Sequence, residues 1–354
     1  MKKQSYTSHG FALLEVFIAM LIITTLIFGL IIPGLTLNNY QKRKTTHNRI
    51  QHIQNAINNY VITYGRLPCP INVTNNSAQN YQEQLSNGVC SSVSSFNSGN
   101  TLYGAVPVDT LNISREYAQD GWGNKIMYIV PKDLTPSITS KRSIVFYKNT
   151  SLGYKIAQTQ VSTNTLTYTQ AVDFSNYLNT YYRDSGIDRL LTNNNIYLLL
   201  SYGDNALGAY TIDGVQNSTV GYNTTVGEEN NFVSTSKNNN NFFTNPSKNL
   251  RGGKLDDIVY EASLNDIISE NTSLIHCDYR YSPYYALESR TFSSPIAANS
   301  TGAPNFIGVQ YYTSGSMIQF DQNCATCPTV SGRRLYVECQ NGNWGEIIKR
   351  DCTC

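Results

Sequence analysis

Between Phe11 and Leu37 the chain carries a single ionisable side chain, Glu15, in an otherwise apolar run. A lone carboxylate beside hydrocarbon is costly, so such a residue is read as functional, with a cationic partner to be named. The other reactive set is eight cysteines, Cys69, Cys90, Cys277, Cys324, Cys327, Cys339, Cys352 and Cys354, all beyond that run. In an oxidising compartment their default state is the disulfide, and an even number admits complete pairing. Sequence proximity pairs Cys69 with Cys90 and most of the last five among themselves. Cys324-Ala325-Thr326-Cys327 also has the spacing of a zinc half-site, against which an oxidising compartment argues. Histidine tests for catalysis: of four, His9 precedes the apolar run and His47 and His52 follow it closely, leaving His276. His276-Cys277-Asp278 cannot converge as a triad, because consecutive strand residues point to opposite faces. With no Gly-rich phosphate loop and no Gly-x-Ser-x-Gly elbow, the chain is read as non-enzymatic.

The elements that hold these residues follow from periodicity. As a helix, Phe11 to Leu37 spans roughly 40 Å, more than a hydrocarbon core of about 30 Å; Pro33 should kink it. Met1 to Gly10 is polar and ends in Gly just before the run, whereas a secretory signal is cut after its apolar core. Lys2 and Lys3 on one flank and Lys42, Arg43, Lys44 and Arg49 on the other leave the positive-inside rule ambiguous. Beyond the run, Ile50, Ile53, Ile57, Tyr60, Val61 and Tyr64 recur at spacings of three and four. They predict an amphipathic stem helix with its stripe on a sheet, ended by Gly65 and Pro68.

Gly10-Phe11-Ala12-Leu13-Leu14-Glu15-Val16, running into this helix, resembles the N-terminus of the type IV pilin and type II secretion pseudopilin superfamily. The resemblance implies cleavage by prepilin peptidase between Gly10 and Phe11 and N-methylation of Phe11. It also implies that Glu15 of one subunit receives the amine of another during filament assembly. It further implies a single-pass inner-membrane protein with its globular part in the periplasm. Such a protein is held in membrane lipid, then taken by an inner-membrane assembly platform and packed against other pilins or pseudopilins through the N-terminal helix, reaching the cell exterior in an assembled pilus. The implied fold is α+β, a long N-terminal helix packed on an antiparallel sheet. The competing reading of the same residues is an ordinary signal anchor.

Further segments extend the resemblance. Gly65 to Pro70, Tyr103 to Val108 and the turn Asp120-Gly121-Trp122-Gly123-Asn124 are similar to pseudopilin segments that lead into a strand, here Ile126 to Val130, with both glycines free to adopt positive φ. Ser201 to Ala209 and Leu255 to Tyr260 resemble paired segments that build a calcium site in major pseudopilins. On that resemblance Asp204 with Asp256 or Asp257 supplies oxygen ligands of the kind calcium takes. The alternative is a structural turn and a solvated acidic pair, with Lys254 on one aspartate. Ser143 to Lys148 and Ile196 to Ser201 predict strands, Ala171 to Asp184 and Glu261 to Glu270 short helices, and Asn-rich Gln216 to Asn249 a long mobile loop.

The expected organisation is a leader (1–10), a transmembrane and filament-core helix (11–37), a stem (38–65), a globular domain (66–281), a linker (282–305) and a Cys-rich β module (306–354). Strands at Phe306 to Tyr312, Met317 to Phe320 and Leu335 to Cys339 make this last part either a separate module or an elaboration of the first sheet. Lys plus Arg number 26 against 24 acidic residues; losing Lys2 and Lys3 makes the two equal, so no nucleic acid partner is expected. The 26 tyrosines and many asparagines suit an adaptable contact surface or reflect AT-rich codons. The expected function is that of a minor pilin or pseudopilin, a structural subunit of a type IV pilus or secretion pseudopilus. The alternative is a tip adhesin whose residues 306–354 meet a surface ligand.

Overall fold

The computed structural model describes residues 11–75, 81–136, 144–149, 153–162, 165–169, 177–222, 224, 227–245, 255–269, 275–278, 311–312, 317–322, 333–340, 343–345 and 348–351; for 11–13, 26–37, 144–169, 269, 275–278 and most of 311–351 it gives the backbone alone. The expected leader and linker lie outside these residues. Helix α1, Phe11–Tyr64, is one element of 54 residues, assigned without a break through Pro33, and is about 80 Å long. The stripe falls where its spacing places it: Ile50, Ile53, Ile57 and Val61 are fully buried and Tyr60 nearly so. Tyr64 departs from it, 58% exposed and lying against the Tyr60 ring. Gly65, at φ +63, then closes the helix by donating its amide to the Val61 carbonyl at 2.8 Å, a left-handed cap that glycine adopts without strain.

The stripe lies on a five-stranded sheet whose strands follow chain order: β1 (Ser94–Phe96), β2 (Thr101–Ala105), β3 (Met127–Pro131), β4 (Tyr197–Ser201) and β5 (Ile258–Ala262). Every neighbouring pair is antiparallel, with Tyr103 opposite Ile129, and Leu199 between Tyr128 and Tyr260. Side chains alternate between two cores. Tyr128, Val130, Tyr197 and Leu199 pack with the α1 stripe, while Met127, Ile129, Leu198 and Leu200 pack with Leu178, Tyr202, Val233 and Phe242. A sheet covered on both faces explains why Tyr197-Leu198-Leu199-Leu200 is an unbroken apolar run rather than an alternating one. Each fully buried isoleucine of the stripe contributes about 1.5–3 kcal/mol, so the helix is seated chiefly by these contacts.

The second cover comes from the segments between β3, β4 and β5. Leu178–Asp184 pairs antiparallel with Ile187–Asn195 and parallel with Asn241–Phe243. This corrects the helix expected to end at Asp184; its residues 171–176 lie outside the description. Period-two burial of Leu178 and Thr180 prevailed, helped by a two-residue turn with Ser185 at φ 51 and Gly186 at φ 81, the geometry that suits a hairpin. Nor is Gln216 to Asn249 an unpacked loop over its described residues, since Val233, Phe242 and Phe243 are buried. Asn231 there exchanges two hydrogen bonds with Phe243, amide to carbonyl at 2.7 Å and backbone N–H to amide oxygen at 2.6 Å, replacing a strand partner. Leu264–Ser269 forms the short helix expected at Glu261 to Glu270, started by Asp266 accepting from the Ser263 amide at 2.7 Å, one half of a capping box.

Ile144–Asn149, Gly153–Ser162 and Thr165–Thr169 join Ile275–Asp278 and Tyr311–Tyr312 in a second five-stranded sheet, while Met317–Gln322, Arg333–Gln340, Asn343–Trp344 and Ile348–Asp351 form a sheet of their own. The chain is thus mixed α and β with mainly antiparallel sheets. Cys69 and Cys90 form a disulfide with Cα atoms 5.6 Å apart. Cys277 and Cys339 lie in strands given by backbone alone, and Cys324, Cys327, Cys352 and Cys354 fall outside the described residues.

Candidate functional site

Chemistry-bearing side chains gather where residues 39–49 of α1 pass the turn before β3. Asp120, 1% exposed, organises that turn. One carboxylate oxygen accepts the amides of Trp122 and Asn124 at 2.9 Å each, and the other accepts the Ser201 hydroxyl of β4 at 2.7 Å. Burial pushes the Asp120 carboxyl above its ordinary value against the pull of these donors. Gly123 has the positive φ expected, +87, but Gly121 does not. Gly121 is required for another reason: a Cβ there would stand 2.1 Å from the Lys42 carbonyl oxygen of α1. Arg49 donates to the carbonyls of Gln119 and Asp120 at 3.1 and 3.0 Å, and the Arg43 guanidinium lies 5.7 Å from the Trp122 ring centre.

The three aspartates singled out from sequence are divided. Asp204 accepts from the Trp122 indole N–H at 2.9 Å and from the Asn39 side chain at 3.1 Å, so it joins the turn to α1. Asp256 and Asp257 instead meet Glu228, which sequence reasoning does not single out; one oxygen from each of the three lies within 4.8 Å of the others. Gly203, at φ +64, allows the approach, since a Cβ there would stand 2.3 Å from the Asp256 carbonyl oxygen. Asn205 donates its backbone and side-chain N–H groups to Asp256 at 2.8 and 3.0 Å, and its side chain also donates to Glu228. Asp257 accepts the Asn231 amide at 2.8 Å through Oδ2, while its buried Oδ1 has no hydrogen-bond partner. Burial raises the carboxyls of Asp256 and Asp257, and Glu228 adds to both.

No family model, no curated protein and no solved structure matches this chain. What the site can do therefore rests on its own chemistry. An all-carboxylate set with an orphaned buried oxygen fits a hard divalent cation. Beside it, a cavity of about 20 Å³ between Arg43, His47, Asp257 and Tyr260 has room for a single water and none for an organic substrate.

Of the N-terminal residues, Gly10 lies outside the description and Phe11 is given by backbone only. Glu15 is exposed on the first turns of α1, among apolar side chains that are exposed on every face; Leu14, Phe17, Met20 and Ile23 are each more than half exposed. Thr24 and Thr25 return their hydroxyls to the helix, donating to the carbonyls of Met20 and Leu21 at 2.8 and 2.9 Å. Among the residues with described side chains, no helix is long and apolar enough to cross a membrane; the apolar run read from the sequence includes 26–37, whose side chains are not among them.

Proposed function

We propose that this chain is a structural subunit, a minor pilin or pseudopilin, processed by prepilin peptidase and assembled into a type IV pilus or type II secretion pseudopilus. The observation that carries the reading is the division of labour along α1. Its second half is seated on the sheet by Ile50, Ile53, Ile57 and Val61, while Leu14 to Ile23 presents apolar side chains on all faces. A helix that is apolar all round requires lipid or other helices around it, and its hydroxyls are satisfied within the helix, as lipid demands. Glu15 is then the one charge needing a partner, and the amine at residue 11 of a neighbouring subunit supplies it. Before assembly the partner is membrane lipid; afterwards it is other subunits.

A second reading, a binding module carried at a filament tip, draws on the separate pairing of the C-terminal strands. Met317–Gln322, Arg333–Gln340, Asn343–Trp344 and Ile348–Asp351 pair only with one another among the described residues. Deleting 306–354 separates the two: lost adhesion with filaments intact favours the tip module, and lost filaments or export favours the subunit.

The decisive experiment is the intact mass of the protein from membrane and sheared surface fractions, with and without reductant. A chain beginning at Phe11, methylated and lighter by the hydrogens lost to each disulfide, is the expected result. An intact Met1 chain with free thiols overturns the reading.

A further inference from the structure

Cys277 and Cys339 lie in sheets that share no ladder. Ile275–Asp278 belongs to the second five-stranded sheet and Arg333–Gln340 to the C-terminal one. The two strands nevertheless approach each other. Cα atoms of Ile275–Asp278 come within 8 Å of Cα atoms in both Arg333–Gln340 and Asn343–Trp344, inside the about 10 Å that usually separates packed sheets. Asn343–Trp344 pairs with the longer strand only at its far end, Trp344 opposite Cys339 and Asn343 opposite Gln340. A strand close to both is therefore close to the Cys339 end. Cys277 in turn stands no more than two positions, about 7 Å, from any residue of its four-residue strand. A disulfide joins Cα atoms about 4.4–6.8 Å apart.

The patterning of both strands agrees. Leu335, Val337 and Cys339 share one face, with Arg334, Glu338 and Gln340 on the other, and Ile275 and Cys277 share a face opposite His276 and Asp278. Each cysteine thus belongs to the apolar face of its strand, the face a sheet must cover. The register also sets Cys339 apart from other cysteines. Gln322 and Asp351, the described residues nearest in sequence to Cys324, Cys352 and Cys354, both stand opposite Arg333, six positions and about 20 Å along the strand from Cys339.

We propose that Cys277 and Cys339 are joined by a disulfide that staples the C-terminal sheet to the second sheet. Formation joins the two sulfurs and passes two electrons and two protons to an oxidant, the disulfide of a thiol oxidoreductase, which leaves as a dithiol. The supply of that oxidant rests on the exported location proposed above; the pairing itself does not. The C-terminal sheet is then closed onto the body and not hung on residues 279–332 alone. Deleting 306–354 leaves Cys277 as an odd thiol, so that deletion belongs in a Cys277→Ser background.

Trypsin reads the pairing in the full chain purified in detergent, because it places Cys277 alone on peptide 255–280 and Cys339 alone on 335–349. Cys324 and Cys327 fall together on 291–333, Cys352 and Cys354 on 351–354, and both Cys69 and Cys90 inside 67–115. After alkylation without reductant, the expected species is 255–280 linked to 335–349, resolved into its two peptides by reduction. Peptide 335–349 linked to 291–333 or to 351–354 overturns the pairing. Should both thiols be alkylated in the isolated protein, the folded chain is treated with oxidised glutathione. A link that then forms keeps the pairing and tells against the oxidising compartment of the subunit reading; continued alkylation of both overturns the pairing. In Cys277→Ser, one new alkylatable thiol is expected on 335–349, with faster amide exchange in Arg333–Gln340. A new thiol on any other peptide overturns the assignment.

Discussion

Gly121 donates its amide to the Thr46 hydroxyl at 2.8 Å, and through that contact the turn before β3 is pressed against the backbone of α1. The Lys42 carbonyl lies where any Cβ at position 121 would be. Gly121→Ala is therefore expected to push the helix off the turn and to destabilise the chain by about 3 kcal/mol, the upper part of the overpacking range. Thr46→Val, which keeps the shape and removes the acceptor, costs about 1–2 kcal/mol. Urea denaturation of the two variants checks the order; equal, negligible effects would mean that the seam is held by the apolar stripe alone.

The Cys69–Cys90 bridge closes a loop of 21 residues in sequence separation. Reducing it, or replacing both cysteines with serine, should lower stability by about 3 kcal/mol. Denaturation with and without reductant reads this directly, and an unchanged midpoint would place the constraint in the rest of the segment.

Inside that loop Glu83 meets Arg66 in an almost buried pair, and accepts from the Tyr60 hydroxyl at 2.7 Å and the Cys69 amide at 2.8 Å. Burial, the largest single influence, would raise the Glu83 carboxyl, but the Arg66 guanidinium together with the Cys69 amide and the Tyr60 hydroxyl holds the group below the usual carboxylate value. A carboxylate depressed in the folded state contributes stability that is complete above its unfolded value, about 4.3, and is lost as pH falls through the lower folded value. Stability should thus decline on acidification below about pH 4.5, with Glu83→Gln flattening that part of the profile. Arg66→Met, which strands the carboxylate, costs about 3–5 kcal/mol near neutrality. A Glu83→Gln variant with an unaltered acid limb would assign the acid sensitivity elsewhere.

For the proposed subunit, Glu15→Ala should leave cleavage at Gly10 and membrane insertion intact while sheared surface fractions lose the protein. Gly10→Val should retain the leader. Immunoblots of membrane and surface fractions check both, and normal surface levels of the Glu15→Ala protein would remove Glu15 from assembly.

The seat of the stem is legible in the sequence because its apolar period continues through a long helix, from Ile50 to Val61. The turn at Asp120 is legible because glycine and asparagine mark it, although the need for Gly121 lies in the helix backbone passing over it, which no local pattern encodes. Cys69 and Cys90 are readable as neighbours by separation alone. Glu228 is not legible: it belongs to an Asn-rich stretch that looks unstructured, and the Asn231 exchange with Phe243 holds that stretch in place. The Leu178–Asp184 strand reads as a helix in the sequence because aromatic spacing there fits either period; the Ser185-Gly186 turn is the signal that decides it.

The long helix also gives the molecule a mechanical axis. Its apolar arm lies beyond the sheet, so tension on the arm runs along the helix and into the seam formed by Asn39, Thr46 and Arg49 with Asp204, Gly121 and the Gln119 and Asp120 carbonyls. Pulled in that direction, these bonds and the isoleucine contacts below them are sheared together and share the load, whereas a pull across the helix would peel them apart in turn. A chain built this way resists force best along the line of its own long helix.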